Sequence, residues 1–292
     1  MDADTREKYM QSRKISDAVI LFARPLVKED ALALDLAEKI EARIKALGGG
    51  VAFPVNVSIN ENAAHYTPSA GDTLRLKHGD MVKVDIGTHV DGCIWDRAFT
   101  VCVGQQSHPM IVAAELALEE ALKLVKPGTM VMEISEAVEA TVTKLGFNPV
   151  RNLCGHGLDK YTQHATLSIP NGRNTIRQQL QPGQAIAMEV FATDGAGWIH
   201  ESQPVEIFGY VRDRPARLWE ARRVLDAAKT AYSELPFAKR WLNALKPQVS
   251  AIKIDMALDQ LLVTGALRRY PVLREQPGCM VAQAEETVVL AD

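Results

Sequence analysis

The segment KVDIGTHVDGCIWDRAFTV, residues 83–101, sets two acidic side chains into an otherwise apolar pair of strands. Asp91-Gly92 is the dipeptide that favours a two-residue hairpin loop, because both residues tolerate positive φ. With that loop Thr88 faces Trp95 and Asp85 faces Ala98, and period-two alternation puts Asp96 on the same side as Asp85. Carboxylates placed as diagonal neighbours repel unless a cation lies between them. A pair of solvated surface aspartates is the ordinary alternative. Here, however, the few polar residues of the ribbon are clustered, which points to a metal site.

A divalent site takes four or more protein donors, and paired ions sit ~3.5–4 Å apart. Glu189 interrupts the apolar run AIAMEVFA, where an unpaired carboxylate carries a heavy desolvation cost. A buried salt bridge to arginine is its other reading. In CMVAQAEETVVL, Val281, Gln283 and Glu285 share one strand face, and Ala282, Ala284 and Glu286 the other. One glutamate faces the interior, and the pattern alone leaves both open. Imidazole donors are offered by His156, set between glycines in NLCGHGL, by His164, and by His65 in AAHYTP. Taken singly, each is equally a polar surface residue.

Stepping outward, the chain of 292 residues is 47% apolar and 24% charged, with a formal charge of -3. That is the composition of a globular protein with one or two domains. The slightly acidic balance gives no electrostatic basis for bulk nucleic-acid binding. No apolar run approaches the ~18 residues that span a bilayer. The polar, mixed-charge start MDADTREKYMQSRK is not a signal peptide. Four cysteines (Cys93, Cys102, Cys154, Cys279) show neither metal spacing nor a disulfide framework, so a reducing cytoplasm is expected.

The elements that must carry these residues are legible in outline. Leu32, Leu36, Ile40, Ile44 and Leu47 mark a helix face that stops at Gly48-Gly49-Gly50. A β-rich stretch covers 51–103, and helical patterns follow over 108–125 and 130–145. Residues 149–182 have loop composition; AIAMEVFA is a buried strand. From about Pro215 to Tyr270 the pattern is helical, with Leu218, Leu225 and Tyr232 in register, and a strand at 279–290 closes the chain. The fold class expected is α+β.

The ordered set resembles the metal-binding pattern of the methionine aminopeptidases, whose pita-bread fold is shared with prolidase and aminopeptidase P. DIGTHVDGCIWD is similar to the family's paired aspartates, NLCGHGL to its histidine-ligand loop, AMEVFATDGAG to the stretch with the next ligand, and AQAEET to the closing motif. The resemblance covers essentially the whole chain. It implies metal ligation by Asp85, Asp96, His156, Glu189 and Glu285, selecting Glu285 over Glu286. It also implies substrate-facing, catalytic roles for His65 and His164. The helical segment resembles the insertion of the type II class, giving a catalytic domain of residues 1–208 with 278–292 and an insertion of 209–277. A short N-terminus resembles the archaeal form.

Two departures stand out. The type II pattern has histidine after the last glutamate, where this chain has Glu286, which bears on how the site is tuned. The chain also ends at Asp292, shortly after its last strand, so an exposed or differently covered sheet edge is expected there.

The implied activity is removal of N-terminal methionine from nascent or new proteins, with a small residue favoured next. The cofactor would be two divalent ions, because four carboxylates and one imidazole suit Co, Mn, Fe or Zn. Glu189 would carry a proton between water and leaving amine, while His65 and His164 would donate hydrogen bonds to the scissile amide and the oxyanion. The implied partners are Met-initiated peptides and the ribosome, with the protein a monomer, no membrane involved, and a cytoplasmic location. Two rivals stand beside this reading: a proline-specific peptidase of the same fold, and a non-catalytic ribosome- or RNA-associated relative.

Overall fold

A computed structural model describes residues 1–245 and 249–291. In chain order the elements are α1 (Ala3–Ala23), α2 (Ala33–Ala46), β1 (Gly50–Ile59), β2 (Asn62–Ala64), β3 (Met81–Val90) and β4 (Cys93–Cys102). Then come α3 (Pro109–Leu124), α4 (Val131–Lys144), β5 (Asn148–Pro149), β6 (Cys154–Asp159), β7 (Thr162–Pro170) and β8 (Ala185–Thr193). The last third holds β9 (His200–Tyr210), α5 (Trp219–Tyr232), β10 (Phe237–Ala238), α6 (Ala251–Val263), β11 (Leu267–Arg274) and β12 (Val281–Val289). A 3-10 segment, Lys239–Leu245, follows β10.

Local chemistry accounts for most element boundaries. Asp2 caps α1 by accepting from the Thr5 amide at 2.9 Å. Pro109 starts α3, where its missing N–H costs no helical hydrogen bond. Asp91 and Gly92 both take positive φ, 49° and 85°, so β3 and β4 form a two-residue hairpin in the expected register.

The strands form two sheets. The larger runs β1-β3-β4-β12-β8-β6-β7, with β5 also on β8; the smaller runs β10-β9-β11-β2. Alternation divides the larger sheet into two faces. Val82, Val84, Ile86 and Phe99 pack with α1 and α2; Ile186, Met188, Val190, Ala282 and Ala284 pack with α3 and α4. Helices therefore cover one face throughout. Asp85, Glu189 and Glu285 occupy intervening positions and point to the other.

Three expectations change. Residues 149–182 are not all loop, because β6 and β7 form a hairpin within them. Their glycines serve strand packing: a Cβ on Gly155 would lie 2.8 Å from the Ala187 carbonyl oxygen. The helical stretch before the last strand is broken by β10 and ends in β11, where Leu267–Tyr210 and Arg269–Phe208 pair as strand partners. The final strand is no sheet edge. β12 lies between β4 and β8 and is paired on both sides.

The α5–α6 segment has its own core, including Ala221, Val224, Leu258 and Leu261. It is fastened to the body by a buried ion pair between Glu41 of α2 and Arg240. Arg240 also donates to Thr67 Oγ1 and Pro68 O, and the Trp241 indole donates to Glu41 Oε2 at 2.9 Å. Removing one member of such a pair strands a buried charge, whereas removing both does not. Arg240→Leu should lower unfolding free energy by about 3–5 kcal/mol. Glu41→Leu with Arg240→Leu should lose less than that single change, as read by urea denaturation.

Candidate metal centre

Strand register assembles the site. A row of partners crosses five strands, with Asn56 opposite Asp85, Asp85 opposite Ala98, Ala98 opposite Glu285, and Glu285 opposite Glu189. Directly opposed residues share a face, and so do residues two apart on one strand. Asp96, two before Ala98, therefore joins the row, as does His156, which is paired with Ala187 two before Glu189. Ala98 and Ala187 offer only methyl groups, leaving room above them for the acidic groups. All five side chains expected as ligands thus converge on one patch.

The convergence is close. Ligating atoms of Asp96, His156 and Glu285 all lie within 4.8 Å of one another. His156 Nε2 is 3.8 Å from Asp96 Oδ2 and 3.8 Å from Glu189 Oε1. Asp85 stands beside Asp96, and its Oδ1 is buried without a hydrogen-bond partner. Glu286, the departure from the type II pattern, points away from the patch on the helix-covered face. There it accepts from Trp95 Nε1 at 2.9 Å and pairs with Arg97 Nε at 2.9 Å.

The seam between β4 and β12 is unusual. Glu285–Ala98 is its one backbone register pair. On either side a threonine hydroxyl stands in for the ladder. Thr287 Oγ1 accepts from Asp96 N and donates to Asp96 O, both at 2.8 Å. Thr100 Oγ1 donates to Gln283 O at 2.6 Å and accepts from Gln283 N at 2.8 Å. The hydroxyls hold the strands apart while leaving no buried backbone group of Asp96 or Gln283 unpaired.

Electrostatics show what the patch lacks. Burial pushes the Asp85 carboxyl up to about 7. Asp96, Glu189 and Glu285 are held well above the carboxylate range, by burial first and then by neighbouring carboxyl charge, that of Asp85 acting on all three. No arginine or lysine forms an ion pair with any of these four among the described residues. His156 sharpens the point. Its Nδ1 faces the Gly157 carbonyl at 3.2 Å and must carry the proton, leaving an Nε2 lone pair aimed at two carboxylates. Acceptors facing acceptors require a proton or a cation between them, and the donor set of oxygens with one imidazole suits a divalent ion.

A cavity of about 340 Å³ lies over the patch, and His65 and His164 both line it. His65 adopts positive φ, 64°, just after β2, and its Nδ1 is 3.2 Å from Pro271 O of β11. The His164 ring, on β7, sits edge-on to that of His156 with centroids 4.5 Å apart. Burial lowers His65 and His156 to about 4, and the solvent-open His164 is lowered too, by partial desolvation in the cavity and by His156, His65 and Arg268 beside it, which favours the neutral ring in all three.

Other residues were not anticipated. Gln163 Nε2 lies 3.5 Å from Asp96 Oδ2, and Gln283 Nε2 donates to Glu285 Oε2 at 3.0 Å. Tyr270 stands 5.8 Å from the His65 ring, with a buried hydroxyl that lacks a hydrogen bond. The shared face of Gln283 and Glu285 was a readable signal for the first of the strand-borne pair. Gln163 and Tyr270 lie in segments whose composition masked their strands.

The model of metallopeptidase family M24 matches residues 7–212. The chain belongs to that family. Within M24 it groups with the methionine aminopeptidases. It is 46% identical over 288 residues to the methionine aminopeptidase of Thermococcus onnurineus, covering 98% of this chain and 97% of the relative. Identity to that of Methanothermobacter thermautotrophicus is 41% over 289 residues, covering 98% and 96%.

Solved structures agree on the pita-bread fold. A thermophilic Arx1 superposes with TM-score 0.87 at 16% identity, covering 100% of this chain and 89% of that one. Methionine aminopeptidase from Thermotoga maritima gives 0.70 at 20%, covering 100% and 94%. Prolidase from Pyrococcus furiosus gives 0.58 at 21% and covers 65% of this chain and 57% of that one.

Membership of M24 implies use of a divalent metal, and the buried acceptors fit one. A pH dependence follows. Carboxyls raised in the fold contribute stability that is present at low pH and lost as pH rises through their folded values, about 7 for Asp85. The lowered histidines act oppositely, but only below their unfolded value of about 6.5. Above that pH the carboxyls dominate the site. The rise in melting temperature on adding manganese(II), relative to chelator, should therefore grow from pH 6.5 to 8.5. Calorimetric scans with and without metal check this, and an increment that stays flat or shrinks refutes it.

Proposed function

We propose that this M24 peptidase removes N-terminal methionine from nascent or newly made proteins, favouring a small second residue. The observation that carries the reading is the full-length likeness to archaeal methionine aminopeptidases at 46% identity. The convergence of Asp85, Asp96, His156, Glu189 and Glu285 under one cavity supplies what that activity requires. These five would hold two ions, drawn from Co, Mn, Fe and Zn. Divalent ions, when bound, supply Lewis acidity and bring the pKa of water towards neutrality.

The chain's own residues supply the rest. Glu189, at the edge of the cluster, takes the water proton and returns it to the leaving amine. His164 presents a neutral ring to the oxyanion as a hydrogen-bond donor. His65 takes a different part from the one its motif suggests. Its Nδ1 proton is committed to the Pro271 carbonyl, so Nε2 offers a lone pair and accepts from a substrate N–H. Phe53, Leu153, Phe191, Ile207 and Leu273 give the cavity apolar walls suited to a thioether side chain.

All these groups come from one chain, so a monomer suffices. Residues 209–277 are read as a type II insertion on a catalytic unit of 1–208 with 278–292. No helix among the described residues is long and apolar enough to cross a membrane, and the four cysteines are free, which suits a reducing cytoplasm. Nascent chains at the ribosome are the substrate class.

Asp85→Ala should lower bound manganese and cut kcat/KM by orders of magnitude, measured by metal analysis and by methionine release from Met-Ala-Ser. His164→Ala should leave metal content unchanged and lower kcat by about 10²–10³-fold, the typical effect of losing one oxyanion donor. A proline-directed peptidase would instead prefer an Xaa-Pro dipeptide over Met-Ala-Ser, and that comparison decides between the two.

A further inference from the structure

We propose that Glu286 is a positioning residue for the metal centre, its carboxylate clamping β4 to β12 from the face opposite the ligands. The inference rests on the reading of this site as a dinuclear peptidase centre. Trp95 and Arg97 are the two neighbours of Asp96 in sequence; Trp95 Nε1 donates to Glu286 and Arg97 Nε forms an ion pair with it, at 2.9 Å each. Glu286 is itself the neighbour of Glu285. One carboxylate thus bonds on both sides of one expected ligand and adjoins a second.

The arrangement is built rather than incidental. Arg97 NH1 reaches Asp17 of α1 at 2.5 Å, and Arg13 stacks over the Trp95 ring with 5.5 Å to its centroid. The ends of the clamp are therefore held by a helix that forms no part of the site. The Glu286 and Arg97 side chains are 23% and 27% exposed, sheltered enough to keep their geometry. The clamp also sits where the sheet most needs it. β4 and β12 share one backbone register pair and two hydroxyl bridges, so their separation is set less firmly by the ladder than elsewhere. Thr287 ties Asp96 from the ligand face while Trp95 and Arg97 tie its flanks from the other. With the clamp cut, the Asp96–Glu285 spacing loses its one constraint on the helix-covered face, and the three atoms within 4.8 Å hold that spacing less firmly before metal arrives.

Calorimetric titration of manganese(II) into the metal-free full-length chain tests this. Glu286→Ala should bind about 10–100-fold more weakly than wild type, the usual effect of removing a partner just outside the ligands. Arg97→Gln should weaken binding in the same direction. The double change should lose less than the sum of the two, because the residues act through one bond. Leu261→Ala, which opens a cavity in the α5–α6 core away from the clamp, should lower the melting temperature in chelator yet leave manganese affinity unchanged. Wild-type affinity in Glu286→Ala, or a loss no larger than in Leu261→Ala, overturns the proposal. Should Glu286→Ala fail to fold, Glu286→Gln, which keeps an acceptor for Trp95, is read by the same criterion. A wild-type chain that neither binds manganese nor releases methionine overturns the functional reading itself.

Discussion

Four carboxyl groups and an imidazole lone pair share one patch of a β-sheet, and among the described residues no arginine or lysine pairs with those carboxyls. Water would relieve that repulsion at a surface, but here burial denies it, and each carboxyl is driven towards its neutral form. The rest of the molecule serves this constraint. Helices fill one face of the larger sheet with close apolar packing, so the charged groups have only the other face to occupy. The backbone beneath them is pinned by register and by two threonine hydroxyls, while side-chain amides of Gln163 and Gln283 donate to the carboxyls of Asp96 and Glu285. A cation entering such a patch meets ligands already gathered, and little reorganisation is left for it to drive.

The division of labour between faces explains why polar residues cluster as they do. Every residue of the row from Asn56 to Glu189 lies at a position whose immediate neighbours point into the helix layers. A one-residue slip of β12 would send Glu285 into that apolar layer and Glu286 into the cavity. The hydrogen bond of Glu286 with Trp95, its ion pair with Arg97 and the hydrogen bonds of Thr287 to Asp96 are compatible with one register only, which makes the slip expensive.

Much of the site was legible because it rests on short-range pattern. Asp91-Gly92 determines the turn, the turn determines the register, and the register puts Asp85 and Asp96 on one side. Glu189 betrayed itself as a charge within an apolar strand. What stayed hidden depends on contacts distant in the chain. Nothing near His65 reveals that the carbonyl of Pro271, 206 residues away, lies 3.2 Å from its Nδ1, a contact that bears on which ring nitrogen is left to face the cavity. The strands β6 and β7 were masked by glycine, histidine and threonine, residues that ordinarily mark loops but here permit close strand approach. β11 was masked by Arg268, Arg269 and Pro271, whose strand role comes from pairing with β9 and not from propensity.

The buried Glu41–Arg240 pair carries a consequence of its own. It ties the α5–α6 segment to the body four residues along the chain from Pro236, which lines the cavity, and so braces that wall. A cavity with a braced wall favours a guest that fits it as it stands, an extended chain terminus more readily than a folded surface.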